Sequence, residues 1–154
     1  MKNSKKTNNL ERIHQKTIQY TIPNTLIKQQ TLIICILTEK IANILSVQKQ
    51  KIYITTKCLK HLYDKKPAAI YDFILLNLKL ILKYPTYIYQ NKPGKRANIC
   101  FVKQIKGINF LCALEIVKRK KTKNFVVTVF PLKKEGYLKG CALIWSWKDG
   151  TPSS

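Results

Sequence analysis

Tyr84-Pro85 separates two regimes of hydrophobic spacing, and that break constrains the fold more than any other feature. Before it, Ile70, Phe73, Ile74, Asn77, Leu78, Ile81 and Leu82 recur at the spacing of one helix face. Pro67 suits the first position of that helix, where its missing N–H costs nothing. Pro85 ends it, because the residue before a proline is pushed out of the helical region. After Pro85 the apolar residues come in short β-branched runs at 98–103, 108–118 and 125–130. Lys106-Gly107 joins the first two, Arg119-Lys-Lys-Thr-Lys-Asn124 joins the second two, and Pro131 stops the last. Consecutive strands with short connections form an antiparallel meander.

Upstream, the spacing of Leu32, Cys35, Ile36, Ile41, Ile44 and Leu45 predicts a helix over about 31–46. Residues 51–55 alternate as a short strand, and Thr55 or Thr56 then caps a helix carrying Cys58, Leu59, His61 and Leu62. Tyr87-Ile-Tyr leads into the turn Asn91-Lys-Pro-Gly-Lys-Arg96, and Glu135–Trp147 reads as a short helix or an irregular segment. The expected fold class is α+β: N-terminal helices followed by a three- to four-stranded antiparallel sheet meander. The expected division is a basic N-terminal extension over 1–49, holding the 31–46 helix, and a folded domain over 50–154.

A chain of 154 residues, 45% hydrophobic, buries roughly 70% of its unfolded surface and needs no metal or disulfide staple. Its charge is lopsided: 29 Lys and Arg against 7 Asp and Glu give +22. Codon drift toward AT would enrich Lys, but it would equally enrich Glu, which occurs only at positions 11, 39, 115 and 135. The charge is therefore physical, and it favours a polyanionic partner, RNA or other nucleic acid before a membrane surface. The longest apolar run, Leu32–Leu37, is far too short to span a bilayer, and no secretory signal opens the chain. Five cysteines, an odd number with none closely paired, fit reduced thiols in a cytoplasmic protein. Two histidines, no CxxC, no HExxH and no phosphate-binding glycine loop leave no expected metal or cofactor.

His61 lies in Lys57-Cys-Leu-Lys-His-Leu-Tyr-Asp-Lys-Lys66, where Lys57, Lys60, Lys65 and Lys66 make a locus for a phosphate. An imidazole titrating near neutrality suits proton transfer at a ribose 2′-OH. The bland alternative is a surface or packing histidine. Lys92, Lys95 and Arg96 in the proline-glycine turn suit a phosphate clamp, Arg96 forking to two oxygens. Lys118, Arg119, Lys120 and Lys121 form a basic loop that is either simply solvated or raises RNA affinity without specificity. Glu115 pairs a lysine or acts as a base. Thr128, central in Val126-Val-Thr-Val-Phe130, offers a hydroxyl to a phosphate oxygen if its sheet face is open.

Ile52-Tyr-Ile-Thr, Leu59-Lys-His-Leu-Tyr-Asp-Lys-Lys-Pro67, Lys83-Tyr-Pro-Thr-Tyr-Ile-Tyr-Gln-Asn-Lys92, Phe125-Val-Val-Thr-Val-Phe130 and Tyr137-Leu138 follow in order. Together they resemble the phage-associated branch of the Barnase–EndoU–colicin E5/D–RelE-like nuclease superfamily over about residues 50–148. The resemblance implies a two-helix and antiparallel-sheet fold. It also implies a metal-independent endoribonuclease that leaves a 2′,3′-cyclic phosphate by 2′-OH attack, often as a toxin or in phage–host conflict. His61 then matches the helix histidine and Thr128 the late-strand Ser/Thr; the basic strand position matches Lys103, or Arg96 at the strand's entrance. Many relatives carry a second histidine or acid–base residue near the first, where this chain has only Tyr63 and Asp64, so either Glu115, a tyrosine or a lysine takes the second role or the activity is weak or lost. Two other functions fit the sequence: a non-catalytic basic RNA-binding module, and an interaction protein docking a neutralising antitoxin, immunity protein or phage component through the 31–46 helix.

Overall fold

The computed structural model describes residues 8–118, 123–133 and 135–148. Asn8 caps helix α1 (Asn9–Ile13) in a capping box with Glu11, and the helix runs on as a π-helical turn to Ile18. Strand β1 (Thr31–Ile36) follows, then helix α2 (Glu39–Leu45), whose first turn is held by Thr38 Oγ1 accepting the Ile41 N–H. Strand β2 (Lys51–Thr55) runs directly into helix α3 (Thr56–Lys65). Thr55 is its cap, accepting the Cys58 N–H at 3.1 Å, while the buried Thr56 hydroxyl bridges Gln30 N–H and Lys28 C=O. Helix α4 (Ala68–Lys83) starts after Pro67 and stops at Tyr84-Pro85, as its spacing predicts.

Strands β3 (Tyr87–Gln90), β4 (Ile99–Ile105), β5 (Ile108–Glu115) and β6 (Asn124–Pro131) come next. Lys106 and Gly107, both at positive φ, make the tight β4–β5 turn. A single 3₁₀ turn (Glu135–Leu138) precedes β7 (Ala142–Ser146). The seven strands of the described residues form one sheet in the order β1-β2-β6-β5-β4-β3-β7. Every neighbouring pair is antiparallel except β2 and β6, which run parallel through Ile52↔Asn124 and Tyr53↔Phe125.

The protein is α+β, but the sheet corrects the expected three- to four-stranded meander: it is larger and partly parallel. The β4–β5–β6 meander lies at its centre. The predicted 31–46 helix is a strand followed by a short helix. In Leu32-Ile33-Ile34-Cys35-Ile36, the three β-branched residues Ile33, Ile34 and Ile36 favour extended backbone, and pairing with β2 outweighs the helical spacing. Residues 142–146 pair with β3 as a strand because Ile88 and Trp145 lie opposite each other on a buried face. The expected 49/50 division falls between the paired strands β1 and β2, and Leu10, Ile18, Leu37 and Ile41 share one core with Ile54 and Phe101.

That core lies between the helices and one face of the sheet. Tyr71, Ile74, Leu78 and Ile81 of α4 are buried there with Ile52, Phe101, Phe110 and Cys112, and Phe73 stacks on Phe110 at 4.7 Å between centroids. Each fully buried Leu or Ile contributes roughly 1.5–3 kcal/mol. The opposite face carries a smaller cluster of Cys100, Val102, Leu111 and Ala113, edged by Tyr87, Tyr89, Val127, Phe130 and Leu138.

Candidate active site

Register decides which side chains share that second face, since residues directly opposite across a strand pair point the same way. Tyr89, Cys100, Ala113 and Thr128 form one row across β3, β4, β5 and β6. Thr128 therefore projects from the second face. A bulge places Val127 between the positions paired with Leu114 and Ala113, and it leaves the Val127 carbonyl accepting from Cys58 Sγ at 3.5 Å.

This contact fixes α3. Strand β2 pairs with β6 only through Asn124 and Phe125, so among the described residues no strand flanks β6 on that side from Val126 onward, and α3 takes the place. Cys58 holds the start of the helix at Val127; at its end the Lys66 ammonium sits 5.4 Å from the Phe130 ring centroid. His61 lies between these anchors, about 4.5 Å along the axis from Cys58, with its side chain exposed. Lys57 and Lys65, one turn to either side, are exposed on the same helix face. The end of α3 borders a cavity of about 430 Å³ lined by Lys65, Lys66, Phe130, Leu132 and Tyr137 among others.

Arg96 reaches the second face from the β3–β4 turn, where Gly94 takes φ +82° and Ala97 is buried in the second-face cluster. Its Nε donates to Glu115 Oε1 at 3.3 Å, and both side chains stay open to solvent. The guanidinium also acts on Cys58: burial pushes that thiol up to about 11, and Arg96 partly offsets the rise. His61, Arg96, Glu115 and Thr128 are thus brought to the second face and the α3 rim beside it.

Lys103 is not among them. It pairs with Phe110, which faces α4, so its side chain leaves the opposite side of the sheet from Thr128. Of the two basic positions, only Arg96 shares a face with Thr128. Lys60 is corrected as a phosphate contact: it is buried, donating to Asp64 Oδ1 at 2.6 Å and to Ile22 C=O at 2.8 Å. That hydrogen bond, with help from the Asn24 N–H, holds the Asp64 carboxyl below its usual range. Tyr63 is engaged too, accepting the Tyr20 N–H at 3.3 Å. Lys92 lies across Gly140, donating to Tyr137 C=O at 2.9 Å, whereas Lys95 and Lys118 are exposed. Arg119, Lys120 and Lys121 lie outside the described residues.

Sequence reasoning missed Cys58, although its place three residues before His61 puts both on one side of a helix. It also passed over His14, whose Nδ1 lies 3.0 Å from the Tyr71 hydroxyl; burial lowers its pKa, opposed by Asp72. Among the described residues no three His, Cys, Asp or Glu side chains gather to hold a cation, and no helix is long and apolar enough to cross a membrane.

Among protein-family models, one described as phage-Barnase-EndoU-ColicinE5/D-RelE like nuclease3 matches residues 32–137. No curated protein and no solved structure matches the chain.

Proposed function

The chain belongs to the phage-Barnase-EndoU-ColicinE5/D-RelE like nuclease3 family, and from that premise we propose that it is a metal-independent endoribonuclease working on the second sheet face. The observation that carries this reading is the common face of Thr128 and the Arg96–Glu115 pair, with α3 presenting His61 at its rim. A scissile phosphate seated there has its non-bridging oxygens toward the Thr128 hydroxyl and the Arg96 guanidinium. Glu115 engages Nε of Arg96 and leaves the two Nη groups for the phosphate, a planar fork that matches two oxygens. His61 takes the proton of the ribose 2′-OH as that oxygen attacks phosphorus. The P–O5′ bond breaks, the leaving oxygen takes a proton from the Lys57 or Lys65 ammonium beside His61, and a 2′,3′-cyclic phosphate remains. Arg96 stabilises the charge that builds on the pentacovalent intermediate. Lys95 and Lys118 extend the basic surface along the RNA. The wider role in this reading is a toxin or phage–host conflict effector in the cytoplasm, held by a neutralising partner.

Purified wild type and His61→Ala, incubated with total RNA in EDTA, test the proposal. Wild type yields fragments with cyclic-phosphate ends and His61→Ala yields none; equal cleavage by both removes His61 from the mechanism. One observation favours a second reading, a non-catalytic RNA-binding module: Asp64 and Tyr63, the acid–base candidates nearest His61, are already hydrogen-bonded. That module binds RNA with steep salt dependence and produces no new ends at any protein concentration.

A further inference from the structure

On the opposite side of the sheet, where α4 ends and β7 closes, lies a cavity of about 530 Å³. Its position follows from local structure. Pro85 ends α4, the Trp147 N–H donates to Thr86 C=O at 3.0 Å, and β7 is thereby tied to the β3 entrance. The walls combine three features. Tyr84 and Trp147, 55% and 59% exposed as residues, line it with aromatic rings. Lys40, Lys83 and Lys103 line the same space, and none has a carboxylate within 4.0 Å among the described residues. Trp145, 95% buried, forms part of the wall, with Lys40 4.9 Å over its ring; its Nε1–H has no acceptor among the described residues.

Each feature asks for a different part of one ligand. Flat exposed rings suit stacking with a planar base, which is sequence-tolerant because every base has a π-face. Three unpaired ammonium groups suit a phosphate. The buried Trp145 ring under Lys40 gives the cavity an apolar wall, against which the flat face of a base can pack. We propose that this cavity binds a nucleotide, its base against Trp147 and Tyr84 and its phosphate on Lys40, Lys83 and Lys103. The site is separate from the cleavage face and does not rest on the cleavage chemistry. Its ligand is either a free mononucleotide or one nucleotide of an RNA chain.

Trp145 and Trp147 are the only tryptophans, so indole fluorescence reads this cavity directly. The full chain is titrated with AMP, adenosine, inorganic phosphate and a short 2′-O-methyl RNA that cannot be cut by 2′-OH attack. Saturable quenching by AMP, at least about tenfold tighter than by adenosine or phosphate, is the expected result, since each half-ligand lacks one set of contacts. Saturation by the oligonucleotide alone also supports the site and assigns its ligand to an RNA chain. Trp147→Ala weakens binding by roughly 5- to 100-fold and Lys103→Gln by about tenfold, both read by calorimetry. Both residues are at least partly exposed, so the fold survives either change. The proposal is overturned if neither AMP nor the oligonucleotide saturates, if phosphate binds as well as AMP, or if the two variants bind like wild type.

Discussion

Replacing Asn124 with Ala removes one buried amide that joins three segments of the chain. Asn124 is 1% exposed at the start of β6, with its Cα opposite Ile52 in the parallel pair. Its Oδ1 accepts from Val117 N–H at 2.6 Å, and its Nδ2 donates to Gln50 Oε1. Alanine leaves the Val117 N–H without its partner, at about 1–3 kcal/mol. Gln50 is only half-buried and can turn its amide to water, so its own loss adds less. The void left by the carboxamide adds to the cost, offset slightly because Asn is a poor strand residue. The sum is about 2–4 kcal/mol, or roughly 5–12 °C in Tm for a chain of this size. Urea unfolding followed by tryptophan fluorescence measures it. Gln50→Ala alone costs less, and the double variant is less destabilised than the two singles added, by at least about 0.5 kcal/mol, because they share one bond. A cost for Asn124→Ala below about 0.5 kcal/mol, the range of an ordinary surface substitution, refutes the claim that this amide holds the three segments together.

Two further predictions follow from the same geometry. Arg96→Ala lowers kcat for RNA cleavage by about 10²–10³-fold, as loss of one charge-stabilising donor does. Thermal unfolding stays nearly unchanged because the Arg96–Glu115 pair is solvent-exposed; an unaltered cleavage rate excludes the guanidinium from the reaction. Burial pushes the Cys35, Cys58 and Cys100 thiols from 9.0 up to about 11, and raises the fully buried Cys112 well above 9.0 too. The folded chain holds those protons where the unfolded chain releases them, so this stabilisation is complete below pH 9 and is lost as pH rises toward 11. Urea midpoints measured across that window should fall; a flat profile contradicts the burial of these thiols.

The central architecture was legible because it depends on local signals. Pro67 and Pro85 bracket α4, Lys106-Gly107 turns β4 into β5, and Thr55 caps α3. What escaped depends on partners distant in the chain. Leu32, Cys35 and Ile36 are spaced for a helix, and pairing with β2 tips this β-branched segment to strand. The parallel contact of β2 with β6 leaves no periodicity to read. The candidate site divided along the same line. Residue types and order pointed to His61, Thr128 and a basic partner, but whether that partner was Lys103 or Arg96 depended on which sheet face each occupies. Register separates the two by face: Lys103 lies opposite Phe110 on the helix side, whereas Arg96 meets Glu115. The loss of Lys60 to Asp64 and Ile22 was equally invisible, because the segment that supplies Ile22 lies in the polar lead-in.

The parallel pairing of Ile52 with Asn124 also sets an order of events during synthesis. Closing a contact between residues so far apart in sequence is slow, and strands made early must wait for those made late. Helix α3 emerges from the ribosome well before β6, the strand it lies against. Until Asn124 to Thr128 have followed, His61 has no sheet face beside it. The cleavage surface proposed here is therefore assembled only once β6 has followed α3 in the chain.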